Sequence, residues 1–99
     1  MTSTTTIIRH VAREFDISVA SLLGPARAKQ ASVPRQAAMF LARELTGHSL
    51  PRLATIFNRA DHTTILHGIA RTVERARDPV FMARLDRIRM QLPVEGHIA

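Results

Sequence analysis

Residues 49–76 read SLPRLATIFNRADHTTILHGIARTVERA, and this stretch decides the fold. Ser49 and Pro51 are helix-opening residues: a serine hydroxyl accepts from an unpaired amide of the first turn, and a proline placed there loses no hydrogen bond. Leu50, Leu53, Ile56 and Phe57 supply an apolar face at helical spacing, which predicts a helix over 49–57. Asn58-Arg59-Ala60 breaks the pattern. Asp61 can then cap a longer helix whose apolar face is Ile65, Leu66, Ile69, Val73 and Ala76. A short helix, a tight connection and a longer helix that opens on polar residues is the pattern of a helix-turn-helix, whose second helix lies in the DNA major groove. An ordinary helical hairpin has the same pattern, so residue identities must separate the two.

Working outward, the Thr/Ser-rich residues 1–6 have no apolar period and read as a flexible N-terminus, with Thr5 or Thr6 capping a first helix over 7–15. Ile8, Val11, Ala12 and Phe15 form its stripe. A short helix over 18–23 ends at Gly24-Pro25, because glycine accepts the left-handed cap and proline cannot continue the ladder. Residues 25–32 read as an exposed basic loop carrying Arg27 and Lys29. Pro34 then opens a central helix over 34–46, with Ala37, Ala38, Leu41 and Leu45 inward and Gly47 closing it. Beyond Asp78-Pro79, the positions Phe81, Leu85, Ile88 and Leu92 step along a last helix that ends near Pro93, and 94–99 reads as a flexible tail. With no strand-like alternation and no repeat, the expectation is an all-α domain of about six helices over 7–93.

The 99 residues are 45% hydrophobic and 22% charged, as in a globular protein with one core. No apolar stretch nears the roughly 20 residues needed to cross a bilayer, and no apolar secretory segment opens the chain, so a cytoplasmic location is expected. The absence of cysteine excludes disulfides, thiolate zinc sites and cysteine nucleophiles. His62 and His67 stand five apart, off the spacing that lets two helical histidines share one metal, and no glycine-rich ATP loop of the G-x-x-x-x-G-K-[ST] type exists. Neither catalysis nor a metal nor a cofactor is expected. His67 reads as a packed helix residue; His10, Glu14 and Glu44 read as solvated helix faces.

Fourteen basic residues against eight acidic ones give a formal charge of +6, and Lys29 is the one lysine. Guanidinium matches phosphate and guanine edges in a bidentate fork, so an arginine-heavy basic domain leans toward nucleic acid. The start of the longer helix has the matching chemistry. Asp61 can accept from cytosine N4, His62 can bond a purine edge or touch a thymine methyl, Thr63 offers a hydroxyl and a methyl, and Thr64 suits phosphate. The plainer readings are an N-cap for Asp61 and a solvated first turn for the threonines.

The strings VPRQAAMFLARELTGHSLPRLATIF (33–57) and ADHTTILH (60–67) resemble the C-terminal DNA-binding domain, domain IV, of the bacterial replication initiator DnaA, and the likeness runs through nearly the whole chain. It implies a six-helix, Trp-repressor-like helix-turn-helix domain that binds double-stranded DNA at TTATNCACA-like DnaA boxes, placing the protein on the nucleoid. Carried over by position, base reading falls on Asp61, His62 and Thr63 in the major groove and on Arg27 in the minor groove. Backbone contacts fall on Lys29, Arg43, Thr46, His48, Ser49, Leu50, Pro51 and Thr64. The full-length DnaA initiator is a further implied partner, and an adaptor that regulates it with little DNA binding, or a transcriptional regulator, is the alternative role. Where the family reads Phe-Gly-Gly-Arg-Asp, this chain has Phe57-Asn58-Arg59-Ala60-Asp61, and Val33 replaces a common basic residue. These departures predict weaker DNA affinity than that of a typical initiator.

Overall fold

Ser3 opens the first helix: its Oγ accepts the amide of Thr6 at 3.2 Å, and α1 runs Thr4–Glu14. A computed structural model describes residues 2–25 and 29–93. The cap is therefore Ser3 rather than Thr5 or Thr6, and residues 4–6 belong to α1. Apolar periodicity could not register this turn because the buried residue in it is a threonine, Thr4. Thr2 Oγ1 also donates to the Pro93 carbonyl at 3.0 Å, joining the two ends of the described chain. Past α1, Asp16 takes a left-handed φ of +56° and lets the Ile17 amide return to the Ala12 carbonyl at 2.9 Å, which satisfies a carbonyl of the last turn. Ser18 caps the short α2, Val19–Leu22.

The longest element, α3, runs Lys29–Thr46 and starts five residues before the expected entry at Pro34. The second half of the expected basic loop, 29–32, is therefore helix, with Lys29 as its first residue, and Pro34 lies buried inside α3 rather than in its opening turn. Proline has no N–H to donate, so the Gln30 carbonyl loses its usual intrahelical partner. Ala31, buried one turn earlier, gives this early segment a packing face that offsets the loss. Gly47 closes α3 at φ +71°, a conformation that side chains with a Cβ resist. Ser49 caps α4, Leu50–Ile56, by accepting from Arg52 N at 3.2 Å. The remaining helices are α5, Thr63–Arg75, and α6, Pro79–Gln91, the latter capped by Asp78 on Val80 N at 2.9 Å. These six helices, with no strand among the described residues, make the fold all-α as the sequence predicts.

α3 is the axis: α1, α2, α4 and α5 all pack on it. Its Ala37, Ala38, Met39, Leu41 and Ala42 meet Ile7 and Val11 of α1, Leu22 of α2, Leu53 of α4 and Ile65 of α5 in one cluster that includes Phe57. α6 joins through Leu85 and Ile88 and is further held by charge. Glu14, expected on a solvated face, is largely buried between Arg84 at 3.1 Å and Arg87 at 2.8 Å. The Arg87 hydrogen bond holds its carboxyl below the usual carboxylate range against the opposing pull of burial. The Arg84 guanidinium also stacks over the Phe15 ring at 4.0 Å.

Of the face expected on α5, Ile65 is buried and Ile69 and Ala76 pack against the core, whereas Leu66 and Val73 do not. Ile65, Gly68 and Thr72 are inside, whereas Leu66 and Val73 are 45% and 55% exposed. Gly68 is the cause. A Cβ at that position would sit 2.6 Å from Met39 Sδ and 3.4 Å from Gln36 Cγ, so the glycine leaves the room that these α3 side chains fill. Thr72 can be buried because its hydroxyl donates to the Gly68 carbonyl at 2.9 Å. Turning this small-residue side toward α3 carries Leu66 and Val73 outward. Gly68→Val is expected to lower unfolding free energy by about 1–3 kcal/mol through overpacking, measured by urea denaturation; unchanged stability would mean that the contact is not tight.

Candidate functional site

The start of α5 is organised by one carboxylate. Asp61 Oδ1 accepts from the Thr63 amide and from Thr63 Oγ1, each at 2.9 Å. His62 holds the formal cap position and makes no side-chain cap bond, so Asp61 does the capping from one residue earlier. The Thr63 amide, then its hydroxyl, keeps the Asp61 carboxyl below its ordinary pKa. His62 Nδ1 lies 3.8 Å from the same carboxylate oxygen. Asp61, His62, Thr63 and Thr64 are all exposed. The motif therefore presents four adjacent polar side chains on the first turn of a helix, with two of them locked together.

The turn that delivers this motif is built on Asn58, which adopts a left-handed φ of +61°. Around it the Arg59 amide donates to the Ala54 carbonyl at 2.8 Å and the Asn58 amide to Thr55 O at 3.1 Å. This is the hydrogen-bond pattern of a left-handed helix cap, and asparagine is the residue besides glycine that tolerates it best. Asn58 thus explains how the turn forms without the paired glycines of the resembled family.

A second group gathers at the turn between α3 and α4. Thr46 Oγ1 donates to the Ala42 carbonyl at 2.6 Å and accepts the His48 amide at 3.1 Å, while an Arg43 Nη donates to the His48 carbonyl. Ser49 follows as the α4 cap, with Leu50 and Pro51 as the first two residues of α4. Arg43, Thr46, His48, Ser49, Leu50 and Pro51 therefore form one continuous segment, separated from the Asp61 group by the length of α4. Lys29 is exposed at the start of α3. Arg27, expected in the minor groove, lies outside the described residues.

Two adjoining hollows connect α5 to α3. A cavity of roughly 100 Å3 is lined by Ser32, Arg35, Gln36, Met39, Arg59 and Thr64. A groove of roughly 490 Å3 is lined by Gln36, Thr64, His67, Ala70, Arg71 and Glu74. Sequence reading missed Gln36, His67 and Arg71 as neighbours of Thr64. His67, expected to be packed, is exposed, as is Arg71, which has no hydrogen-bond or ion-pair partner among the described residues. The signal was present: His67 and Arg71 are four and eight residues beyond Thr63, on the same side of the helix.

Arg35 and Arg59 are the least foreseeable members. Arg35 is 4% exposed and donates to the carbonyls of Leu22 at 2.7 Å, Ser21 at 3.2 Å and Pro25 at 3.2 Å. Burial, then the nearby Arg59 charge, draws its pKa below the usual arginine value. Arg59 donates to the Gly24 carbonyl at 2.8 Å. Among the described residues no helix is long and apolar enough to cross a membrane, and no three His, Asp or Glu side chains gather to hold a metal.

Comparison with known proteins gives a consistent family. The family described as bacterial dnaA protein helix-turn-helix matches residues 4–72. The chromosomal replication initiator protein DnaA of Limosilactobacillus reuteri is 48% identical over 67 residues, covering 68% of this chain and 15% of the relative. Its counterpart in Levilactobacillus brevis is 41% identical over 83 residues, covering 83% of this chain and 18% of the relative. The chain thus spans less than a fifth of these relatives' length. A crystal structure of a DNA replication initiation factor superposes with a TM-score of 0.78 at 31% identity, over 89% of this chain and 27% of that one.

Because Asn58 carries the left-handed turn, Asn58→Val is expected to cost about 1–2 kcal/mol, whereas Asn58→Gly should leave stability level or raise it. Denaturant titration of the two variants checks this, and equal losses would show that the turn's φ is not the constraint.

Proposed function

The chain belongs to the bacterial DnaA helix-turn-helix family, and on that premise we propose that it binds duplex DNA at DnaA-box-like sites in the setting of chromosomal replication initiation. The single observation that carries this reading is the Asp61 carboxylate fixed on Thr63 at the exposed first turn of α5. A side chain that reads a base edge must hold one orientation, and the 2.9 Å bond from Thr63 Oγ1 orients both partners before DNA arrives. Asp61 keeps lone pairs for a cytosine amino group, the Thr63 methyl suits a thymine methyl, and His62 is left open to a purine edge.

Around this reader, Arg43, Thr46, His48, Ser49, Leu50 and Pro51 flank one strand at the α3–α4 turn, with Thr64 nearer the reader and Lys29 at the α3 start. Arg27 reads the A/T-rich minor groove, where the narrowed groove focuses negative potential on an inserted guanidinium. The role is binding rather than catalysis, on the nucleoid, at boxes shared with full-length initiators. An adaptor role with little DNA affinity is the opposing outcome of the same test.

The expected result is preference for a box duplex over a scrambled one at physiological salt, with affinity falling as salt rises because bound phosphates release counterions. His62→Ala and Thr63→Ala should each cost about 1–3 kcal/mol on the box and much less on scrambled DNA. Fluorescence anisotropy, with circular dichroism confirming that the helices persist, reads both. Equal affinity for the two duplexes would remove sequence reading, and a uniform loss in the variants would move these residues to the phosphates.

A further inference from the structure

Gln36 of α3 lies across one stripe of α5. Thr64, Gly68, Arg71 and Arg75 follow one another at intervals of four, three and four residues and so share a side of the helix. The Gln36 stem passes over Gly68, its Cγ 3.4 Å and its Cα 3.6 Å from where a Cβ would stand. Past Gly68, Arg75 Nη1 donates to Gln36 Oε1, a bond between residues thirty-nine apart in the chain. Gln36 also lines, together with Thr64, both hollows between the two helices. A guanidinium carries donors only, so the amide atom that meets Arg75 must be the oxygen. The amino group of the same planar amide then faces away from Arg75, and among the described residues it has no hydrogen-bond partner.

Nothing else fixes that orientation. The last torsion of a glutamine is broad and the two ends of its amide are nearly equal in size, so an unheld Gln36 presents either its oxygen or its amino group. Arg75 is free to hold it, because the adjacent carboxylate, Glu74, pairs with Arg77 at 3.3 Å. The groove that Gln36 shares with Thr64 is also lined by His67 and Arg71. A hydroxyl, an imidazole and a guanidinium can each donate to an anionic oxygen, and a carbonyl oxygen among them would repel it. We propose that Arg75 is a positioning residue: by holding the Gln36 oxygen it keeps the Gln36 amino group as a donor to a backbone phosphate of bound DNA, beside Thr64, His67 and Arg71. The proposal rests on the DNA-binding reading and adds to it a residue that acts on the phosphate grip without touching DNA.

The test is a double-mutant cycle of wild type, Arg75→Met, Gln36→Met and the double variant. Each is titrated across a salt series against a box duplex and a scrambled one. Methionine keeps an unbranched stem at either position and removes the polar end. Arg75→Met should weaken binding to both duplexes alike by about 5-fold, the order of one hydrogen bond, because a phosphate contact carries no sequence information. The loss should largely vanish in the Gln36→Met background, which is the non-additivity expected of residues that act through one another. The salt slope should stay that of wild type, and Arg75→Lys, which keeps a donor, should restore most of the affinity. Additive losses would overturn the proposal, and so would a salt slope reduced by about one unit, which marks Arg75 as a direct phosphate contact. A wild type that binds neither duplex would instead overturn the DNA-binding reading, a separate outcome. Nuclear Overhauser contacts of the Gln36 side-chain amide protons in the DNA-free protein give an independent readout. They should reach the Thr64 methyl in wild type and be lost in Arg75→Met; contacts that the substitution leaves unchanged overturn the positioning role. Should Arg75→Met fail to fold, Gln36→Glu carries the test, since it keeps an acceptor for Arg75 and has no amide donor. It should stay folded and bind both duplexes more weakly, and affinity equal to wild type overturns the phosphate grip.

Discussion

The close approach of α5 to α3 at Gly68 sets the geometry of everything that follows. Met39 and Gln36 occupy the space where a Cβ would stand, and α5 lies with Ile65, Gly68 and Thr72 buried and Ile69 packed beside them. That orientation exposes the first turn, where Asp61, His62, Thr63 and Thr64 gather, and puts His67 and Arg71 on the groove beside Gln36. Rotating α5 to bury Leu66 and Val73 would instead turn Thr64 and Arg71 away from α3 and break up that groove. The missing side chain at Gly68, together with buried Ile65 and Thr72, thus fits the orientation in which α5 presents its polar first turn.

Arginine has two employments in this protein, and charge counting cannot tell them apart. Arg84 and Arg87 close on Glu14, Arg89 closes on Glu44 and Asp86, and Arg35 is buried on backbone carbonyls. These side chains hold α6 and the end of α2 in place. Arg71 and Lys29 stand exposed toward solvent. The formal charge of +6 is thus a weaker guide to a DNA surface than the placement of a few cations around α5 and the start of α3.

Local chemistry was legible wherever a residue acts on its own turn. Ser18, Ser49, Gly47 and Asp78 end or begin helices where their side chains or backbone freedom say they should. What could not be read required knowledge of the partner across the fold. The α3 turn before Pro34 is stabilised by burial of Ala31, which no spacing rule reveals, and a proline so near the start reads naturally as the first turn. Leu66 and Val73 carry the right periodicity for a core face, and a neighbour excluded them. Asn58-Arg59 looked like a damaged glycine turn, yet asparagine fits the left-handed position and Arg59 finds Gly24. The Asp61-His62-Thr63 string was legible as a candidate reader because residue identity, position on the helix and family resemblance all pointed the same way.

The central claim is that the first turn of α5, supported by the α3–α4 turn, is the surface that meets duplex DNA. Amide chemical shifts of the isotope-labelled protein, followed while a box duplex is titrated in, test it most directly. The perturbed amides are expected to cluster at 46–50, 52, 61–67 and 71, with those of α6 and the exposed side of α1 left in place. Perturbations centred on α6 or on Arg9 and Arg13 of α1, with residues 61–64 unmoved, would contradict it.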